Sequence, residues 1–595
     1  MVTKNTITIG QARRKLSLLA LTVGIALAGC DLPGSDLPQN RLEATRFLNE
    51  ATFGSSEAEI NNVGVVGYTQ WITDQLATQS EFTFKDYLEA RKAETGDSSP
   101  RATDDYIYEA FYTRALTSKA QLRNRVLLAL SEIFVVSMQD ANILDRPEYL
   151  AAYLDLLDKG LDGTYRDLLQ AIAHSQAMGY YLTYVSNSRE DAGQGTQPDQ
   201  NFAREVMQLF SIGLYQLNPD GTPKLDAAGK PIESYTRDDV VGLSKVFTGW
   251  TRNPGNVTSA TRWDCFFVQS SCDGGRAAAY LPLAVYPEFH STADKTFLGV
   301  TIPASGNPDP EGDMKIALDT LANHPNTAPF FSRQLIQRLV TSNPSPAYVQ
   351  RVANKFTASG GNIGATVKAI LLDTEARSLL APSQGTFGKL REPILRMTAL
   401  LRAFKFNESN LSPTGQRLNA AGKLSHVTIV KTSDLATSLN QTPFLSPSVF
   451  NFFRPGYVMP QSTSGQAGLV APEFQLVSES TVTGYVNFLT DLLSTGVYSQ
   501  SYGGDTGLQG PKLDVSDLRT AVDDAAVTAA VVDRLLGGKV SAGLQQAILD
   551  VLKTMPVPAA GSTQASIDAR NAVLDQRAKA AILLVAASPE FLIQR

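Results

Sequence analysis

Arg123-Asn124-Arg125-Val126-Leu127-Leu128-Ala129-Leu130, followed by Ile133-Phe134-Val135-Val136, is the stretch that decides the fold class. Its apolar side chains lie nearly all round a helix instead of forming one stripe. A helix without a solvated face has to be enclosed by other elements, so this one is central to a bundle. Outward from it, helical periods dominate. Ala44, Phe47, Leu48 and Ala51 fall at i, i+3, i+4 and i+7, and Phe53-Gly54 ends that helix. Helical patterns recur at 146–186, 199–213, 236–247, 312–323, 327–340, 346–357, 362–376, 391–405, 474–494, 516–536, 541–554 and 564–586. The expected fold class is mainly α: a large multi-helix body with a β-hairpin and an irregular β-containing insertion.

The β signals are local. Leu214 to Tyr235 carries Asn218-Pro219-Asp220-Gly221 and Ala228-Gly229-Lys230-Pro231, turn formers between short extended pieces. Residues 251–303 hold two cysteines, many aromatics and β-like runs such as Thr296 to Ile302, and read as an insertion packed on the helical body. Gly- and Ser-rich stretches at about 460–470 and 497–512 read as flexible loops. No internal repeat is present.

The first thirty residues have the zones of an export signal. Arg13, Arg14 and Lys15 precede an uncharged run from Leu16 to Leu27, and Leu27-Ala28-Gly29-Cys30 follows. About a dozen apolar residues are too few to span ~30 Å of hydrocarbon but suit a signal peptide core. The last four residues resemble a bacterial lipobox. That match implies cleavage before Cys30 and lipid on its sulfur and amino group, enough acyl chain for stable anchoring at about 0.8 kcal/mol per CH₂. The expected organisation is a signal peptide over 1–29, a tether over 30–40 and one helical body over 41–595, placing the protein in the cell envelope, held to a membrane. Asp31 bears on the choice of membrane only in some Gram-negative bacteria.

Composition agrees with an ordinary globular body, at 43% hydrophobic and 18% charged residues. The net charge of -6 leaves no basic stripe to displace counterions from phosphates, which argues against a nucleic-acid partner. No later segment gives the roughly eighteen uncharged apolar residues of a membrane-crossing helix. With Cys30 lipidated, Cys265 and Cys272 remain as an even pair in an oxidising compartment. A disulfide is favoured over free thiols, and a metal site is disfavoured because no second pair or histidine lies close.

Standard catalytic signatures are absent. There is no Walker loop, nucleophile elbow or His-Glu-x-x-His. Gly503 to Gly510 has glycines but lacks the strand and helix that phosphate binding needs. The four histidines, His174, His290, His324 and His426, share no helical spacing, so neither metal nor cofactor is expected. Asn201, Arg204, Glu205 and Gln208 lie at i, i+3, i+4 and i+7 behind Asp199 as N-cap. They form either a solvated polar face, the favoured reading, or a buried Arg–Glu network. Tyr235-Thr236-Arg237-Asp238-Asp239 reads as a capping box, favouring a capping Asp239 over a catalytic one, and Phe247-Thr248-Gly249-Trp250 ends that helix with an aromatic anchor. His290, Asp294 and Lys295 could transfer protons, although a hydrogen-bonded loop is the favoured reading.

Together these stretches resemble the bacterial family catalogued as domain of unknown function 1800. The likeness runs through Arg46 to Gly54, Asn124-Arg125-Val-Leu-Leu, Asn201 to Phe210, Tyr235 to Val240 and Phe247 to Trp250. It continues through Phe289-His290, Lys295 to Gly299, His324 to Ala328, Arg391-Glu392-Pro393 and Gln441 to Val449. One departure stands out: the family commonly carries an acid where this chain has Gln200. The resemblance implies a mainly helical envelope protein, often encoded beside a secreted family related to sulfatases and phosphatases, which suggests a partner of that kind. Two functions follow as expectations. The first is a non-catalytic binding or scaffold protein for a secreted partner or glycan, with Asn201, Arg204, Gln208, Tyr235, Trp250 and Lys295 as candidate binding groups. The alternative is a hydrolase or transferase acting on a surface polymer through Glu205, Asp239 and His290.

Overall fold

In the computed structural model the stretch around Leu127 forms the helix Gln121–Ile133, and every residue of it except Ser131 is buried. It is surrounded by the helices Arg41–Ala51, Tyr68–Ala77, Asp105–Thr117, Pro147–Gly160 and Thr327–Leu339. Each enclosed leucine or isoleucine contributes about 1.5–3 kcal/mol by leaving water. The structure describes residues 36–96, 98–257, 260–378, 385–406, 432–434, 438–497 and 511–595. The signal peptide, Cys30, His426 and most of the 497–512 loop lie outside the described residues. Leu37–Arg595 form one compact unit with one large apolar core and a small satellite core around Cys265, Phe266, Cys272 and Tyr286. The fold is mainly α, and the strands form short antiparallel pairs. Among the described residues no helix is long and apolar enough to cross a membrane.

Helix entry is set by caps. Asn40 accepts from the Glu43 N–H, and Ser56 and Thr236 head reciprocal capping boxes with Glu59 and Asp239. The span 146–186 is not one helix but three, Pro147–Gly160, Tyr165–Ala173 and Gln176–Tyr181. It breaks at Gly160-Leu-Asp-Gly163, where Thr164 starts a new cap, and again at His174-Ser175. The pattern at 199–213 also departs from expectation. Asn201–Glu205 is α-helical, but Val206–Ser211 widens into a π-helix. There Ile212 and Gly213 both donate backbone N–H to the Met207 carbonyl.

Between Leu214 and Ser234 the chain makes a three-pass meander held by single bridges, Tyr215 with Glu233, Leu217 with Pro223 and Leu225 with Pro231. Pro223 and Pro231 bring no N–H, so continuous ladders cannot form. The 251–303 insertion contains the Cys265–Cys272 disulfide and short helices at Arg262–Phe267 and Gly275–Ala279. The run Thr296 to Ile302 is a hairpin, Lys295–Phe297 paired with Val300–Ile302. Its two turn residues, Leu298 and Gly299, both have positive φ, as a tight primed turn requires. The helix Arg237–Ser244 presses on this hairpin so closely that a Cβ on Gly242 would sit 1.7 Å from the Thr296 carbonyl oxygen. The 460–470 stretch carries a helical turn, Thr463–Gln466, capped by Ser462.

Candidate functional site

Arg125 and Glu132 are two turns apart on the central helix and face the same way. Both are buried, and around them gather charges from three other segments: Arg338 from the Thr327–Leu339 helix, Lys389 and Glu392 before the Pro393–Ala403 helix, and Glu473. The Lys389 ammonium donates to the carbonyls of Gln337 at 3.0 Å and Arg338 at 2.9 Å and lies 2.9 Å from Glu473 Oε1. Gln441 Nε2 donates to Glu392 Oε2 at 2.8 Å. Arg125 Nη2 donates to the Arg338 carbonyl at 2.6 Å. Arg338 Nε comes within 3.1 Å of Glu132 Oε2, but the two are misaligned, and neither has a hydrogen-bond partner.

Glu132 keeps both carboxyl oxygens unpartnered, and Glu392 its Oε1. Two neighbouring carboxylates in a dry interior repel each other when both are ionised, so each influences the other's protonation. Burial first, and Glu392 second, push the Glu132 carboxyl well above the ordinary range. Burial works the same way on Glu392, yet Lys389 first, with the neighbouring Glu132 and Arg125, outweighs it and holds Glu392 below its usual value. The environment thus favours the neutral form at Glu132 and the charged form at Glu392. Burial also lowers Arg125, with Glu392 and Glu132 partly offsetting it.

Glu132 and Arg338 form the inner wall of an open cleft of about 410 Å³. The π-helix supplies Gln208 and Leu209, the meander Tyr215 and Leu217, the 327–339 helix Phe330 and Arg333, and the loop before 460 supplies Phe450 and Arg454. Leu214 and Tyr215 are exposed at the rim. Arg454 stacks over Phe450 at 4.7 Å. Arg333 is half-buried, has no acidic partner among the described residues, and is lowered by burial alone. The cleft thus offers three guanidiniums, several apolar and aromatic faces, and one carboxyl whose neutral form burial favours. A larger cavity of about 1070 Å³ opens between Leu116, Phe404 and Lys512.

The sequence-based candidates divide between this cleft and two other places. Gln208 lines the cleft and accepts from the Tyr235 hydroxyl at 3.0 Å. Glu205, one turn earlier, is buried with Oε2 unpartnered. Its carboxyl is raised by burial, partly offset by Arg204. Tyr235 is raised by burial and by Glu205. Arg204 itself is exposed, so the buried Arg–Glu network forms at Arg125, Glu132, Arg338 and Glu392 instead. Asn201 takes its backbone N–H to Asp199 Oδ1 at 2.7 Å and its amide to Thr183 at 3.4 Å. Asp239 spends one oxygen on Thr236 and accepts from the Leu298 N–H with the other at 2.6 Å. Burial opposes ionisation of Asp239, but these bonds prevail and hold its carboxyl below the usual range.

His290 is fully buried, with Nε2 3.0 Å from Asp313 Oδ2 and Nδ1 2.8 Å from the Thr248 carbonyl. Lys295 Nζ lies 3.0 Å from the same Asp313 oxygen and donates to the Ser291 carbonyl at 2.8 Å. Burial works against the Asp313 charge, and His290 and Lys295 overcome it, holding the carboxyl low. Trp250 is buried with its indole N–H unpartnered, edge-on to His174 at 5.1 Å. No hydrogen bond or ion pair among the described residues joins Glu205 to Asp239 or His290. Among the described residues no cluster of three or more His, Cys, Asp or Glu could hold a metal. Sequence reading missed Glu132, Arg333, Arg338 and Arg454. One signal was present: an acid seven residues after an arginine inside an otherwise apolar, enclosed helix.

No curated protein and no solved structure matches this chain. The family model described as protein of unknown function (DUF1800) matches residues 46–593, and the chain belongs to that family.

Proposed function

We propose that this is a lipid-anchored protein of the bacterial cell envelope that binds acidic sugar units of a glycan in the cleft beside Glu132, without turning them over. The observation that supports this reading is the charge balance of the cleft. Arg333, Arg338 and Arg454 face it, and burial favours the neutral form of its one carboxyl. An uncompensated guanidinium in a partly desolvated wall favours a carboxylate or sulfate, which it grips with two parallel hydrogen bonds. Phe330, Phe450 and Tyr215 supply flat apolar faces for sugar rings, and a volume of about 410 Å³ suits a small number of ring units. A secreted protein offering an acidic side chain is the other occupant of the same chemistry. The hydrolytic alternative through Glu205, Asp239 and His290 has less support, because Asp239 and His290 spend their polar atoms on structural bonds.

The test is calorimetric titration of the full chain with a uronic-acid oligosaccharide and with its carboxyl-reduced counterpart. The acidic sugar is expected to bind at least tenfold more tightly. Arg333→Ala should remove most of that difference, since a charge-assisted hydrogen bond contributes about 1.5–3 kcal/mol. Equal binding of the two sugars, or none of either, rejects the glycan reading. Release of reducing ends by the wild-type chain rejects the non-catalytic part.

A further inference from the structure

A third cavity, of about 580 Å³, is lined by Arg391 but by neither member of the acid pair. Glu392 turns to Lys389 and Gln441, whereas Arg391 turns the other way and lines this cavity. Arg391 is only 6% exposed, and its Nε and Nη1 are buried without a hydrogen-bond partner. Its guanidinium stacks over Phe591 at 4.8 Å and has no carboxylate paired with it among the described residues. Leu42, Leu535, Leu536, Val540 and Ile593 make the walls apolar, and Arg46 and Lys539 add two cations. Arg46 donates through Nε to the Arg595 backbone oxygen at 2.5 Å, but its Nη2 is buried and unpartnered. The carboxyls nearby only partly neutralise this charge. Glu590 lines the same cavity, and the hydrogen bond it accepts from the Ser541 hydroxyl at 2.5 Å holds its carboxyl below the usual range, so it is one anion against Arg391, Arg46 and Lys539. Glu50, one turn beyond Arg46, is pushed by burial up to about 8, with Arg46 offsetting only part of that rise.

A buried cation without a counter-charge costs several kcal/mol, and that cost is relieved when an anion fills the space beside it. The apolar walls say what the rest of the ligand is made of. We propose that this cavity binds an anionic amphiphile, a carboxylate or phosphate head on an apolar body, with the head on Arg391 and Arg46 and the body along Leu42, Leu535 and Val540. The site is separate from the Glu132 cleft and does not depend on that cleft's role.

Isothermal titration of the full chain with laurate, dodecyl phosphate, dodecanol and inorganic phosphate, each below its micellar concentration, tests the proposal. One site for each dodecyl anion is expected, with dodecanol and inorganic phosphate at least tenfold weaker. The tighter of laurate and dodecyl phosphate identifies a carboxylate or a phosphate head. Arg391→Gln should lose at least tenfold. In case that variant fails to fold, Lys539→Glu reverses a solvent-exposed charge at the rim and should weaken laurate at least threefold. Val540→Trp fills the cavity and should block it. Arg333→Ala should bind laurate as wild type does. Dodecanol or inorganic phosphate binding as tightly as the dodecyl anions overturns the proposal. So does wild-type laurate affinity in both Lys539→Glu and Val540→Trp.

Discussion

Glu132 and Glu392 would repel each other if both were ionised, and one proton removes that repulsion. The two carboxyls therefore respond differently to the same substitution. Glu132→Gln keeps a neutral side chain of the same length and should leave stability at pH 5 nearly unchanged. Glu392→Gln strips the charge that faces Lys389 and Arg125, and breaking a buried pair in this way costs about 3–5 kcal/mol. The pH dependence follows from the directions of the two shifts. Glu132 is raised in the folded state, so its contribution is complete below the unfolded value of about 4.3 and is lost as pH climbs, by at most about 1.4 kcal/mol per unit. Glu392 is lowered, so its contribution is present above that value and is lost as pH falls through the folded one. Urea unfolding between pH 5 and 8 should show wild type losing stability with rising pH and Glu132→Gln losing less. Parallel curves for the two would mean that the proton is not on Glu132. Residues of this kind were poorly legible in the sequence. An acid inside an enclosed helix shows that a partner must exist, but Arg338, Glu392 and Gln441 are hundreds of positions away and share no spacing with it.

At the scale of elements, the sequence was legible wherever a local rule decides the outcome. The enclosed helix at Gln121–Ile133, the Thr236–Asp239 box and the Cys265–Cys272 pair each rest on a few adjacent residues. Legibility failed where tertiary packing overrode the local period. The π-helix at Val206–Ser211 is such a case. The break at Gly160–Gly163 and the bridge-only meander turn instead on local residues, the new cap at Thr164 and the missing N–H of Pro223 and Pro231, that the longer helical period and the hairpin reading passed over. The π-helix matters most for function, because it turns Gln208 and Leu209 to the cleft wall, and such widened turns are frequent at functional sites. The capping box yields a direct prediction. Asp239 satisfies both the helix start and the Leu298 N–H of the hairpin turn. Asp239→Ala should therefore cost about 1–2 kcal/mol, measured by chemical denaturation, while sugar affinity at the Glu132 cleft changes by less than twofold. Unchanged stability would remove the structural role and return Asp239 to the list of possible reactive groups.

For the whole molecule, the proposed anchor and the two proposed binding cavities are separable. The helical body begins at Arg41, where Asn40 caps the first helix. Between Cys30 and that cap the chain could reach at most about 35 Å when fully extended. An anchored body would therefore stay within one protein diameter of the lipid surface, sampling envelope polymers with the Glu132 cleft and meeting amphiphiles at the Arg391 cavity. The affinity for the membrane would come from acyl chains on Cys30, each CH₂ adding about 0.8 kcal/mol. Attachment and binding should thus separate cleanly. Cys30→Ser is expected to move the protein from the detergent-extracted membrane fraction to the soluble fraction, and mass spectrometry of the wild-type amino-terminal peptide should show acyl mass on Cys30. The same variant should keep its melting temperature and its affinity for the uronic-acid oligosaccharide, because Cys30 precedes the packed body. Retention of Cys30→Ser in the membrane fraction would transfer the attachment from the lipid to the body, with the Arg391 cavity and its rim as the first surface to mutate.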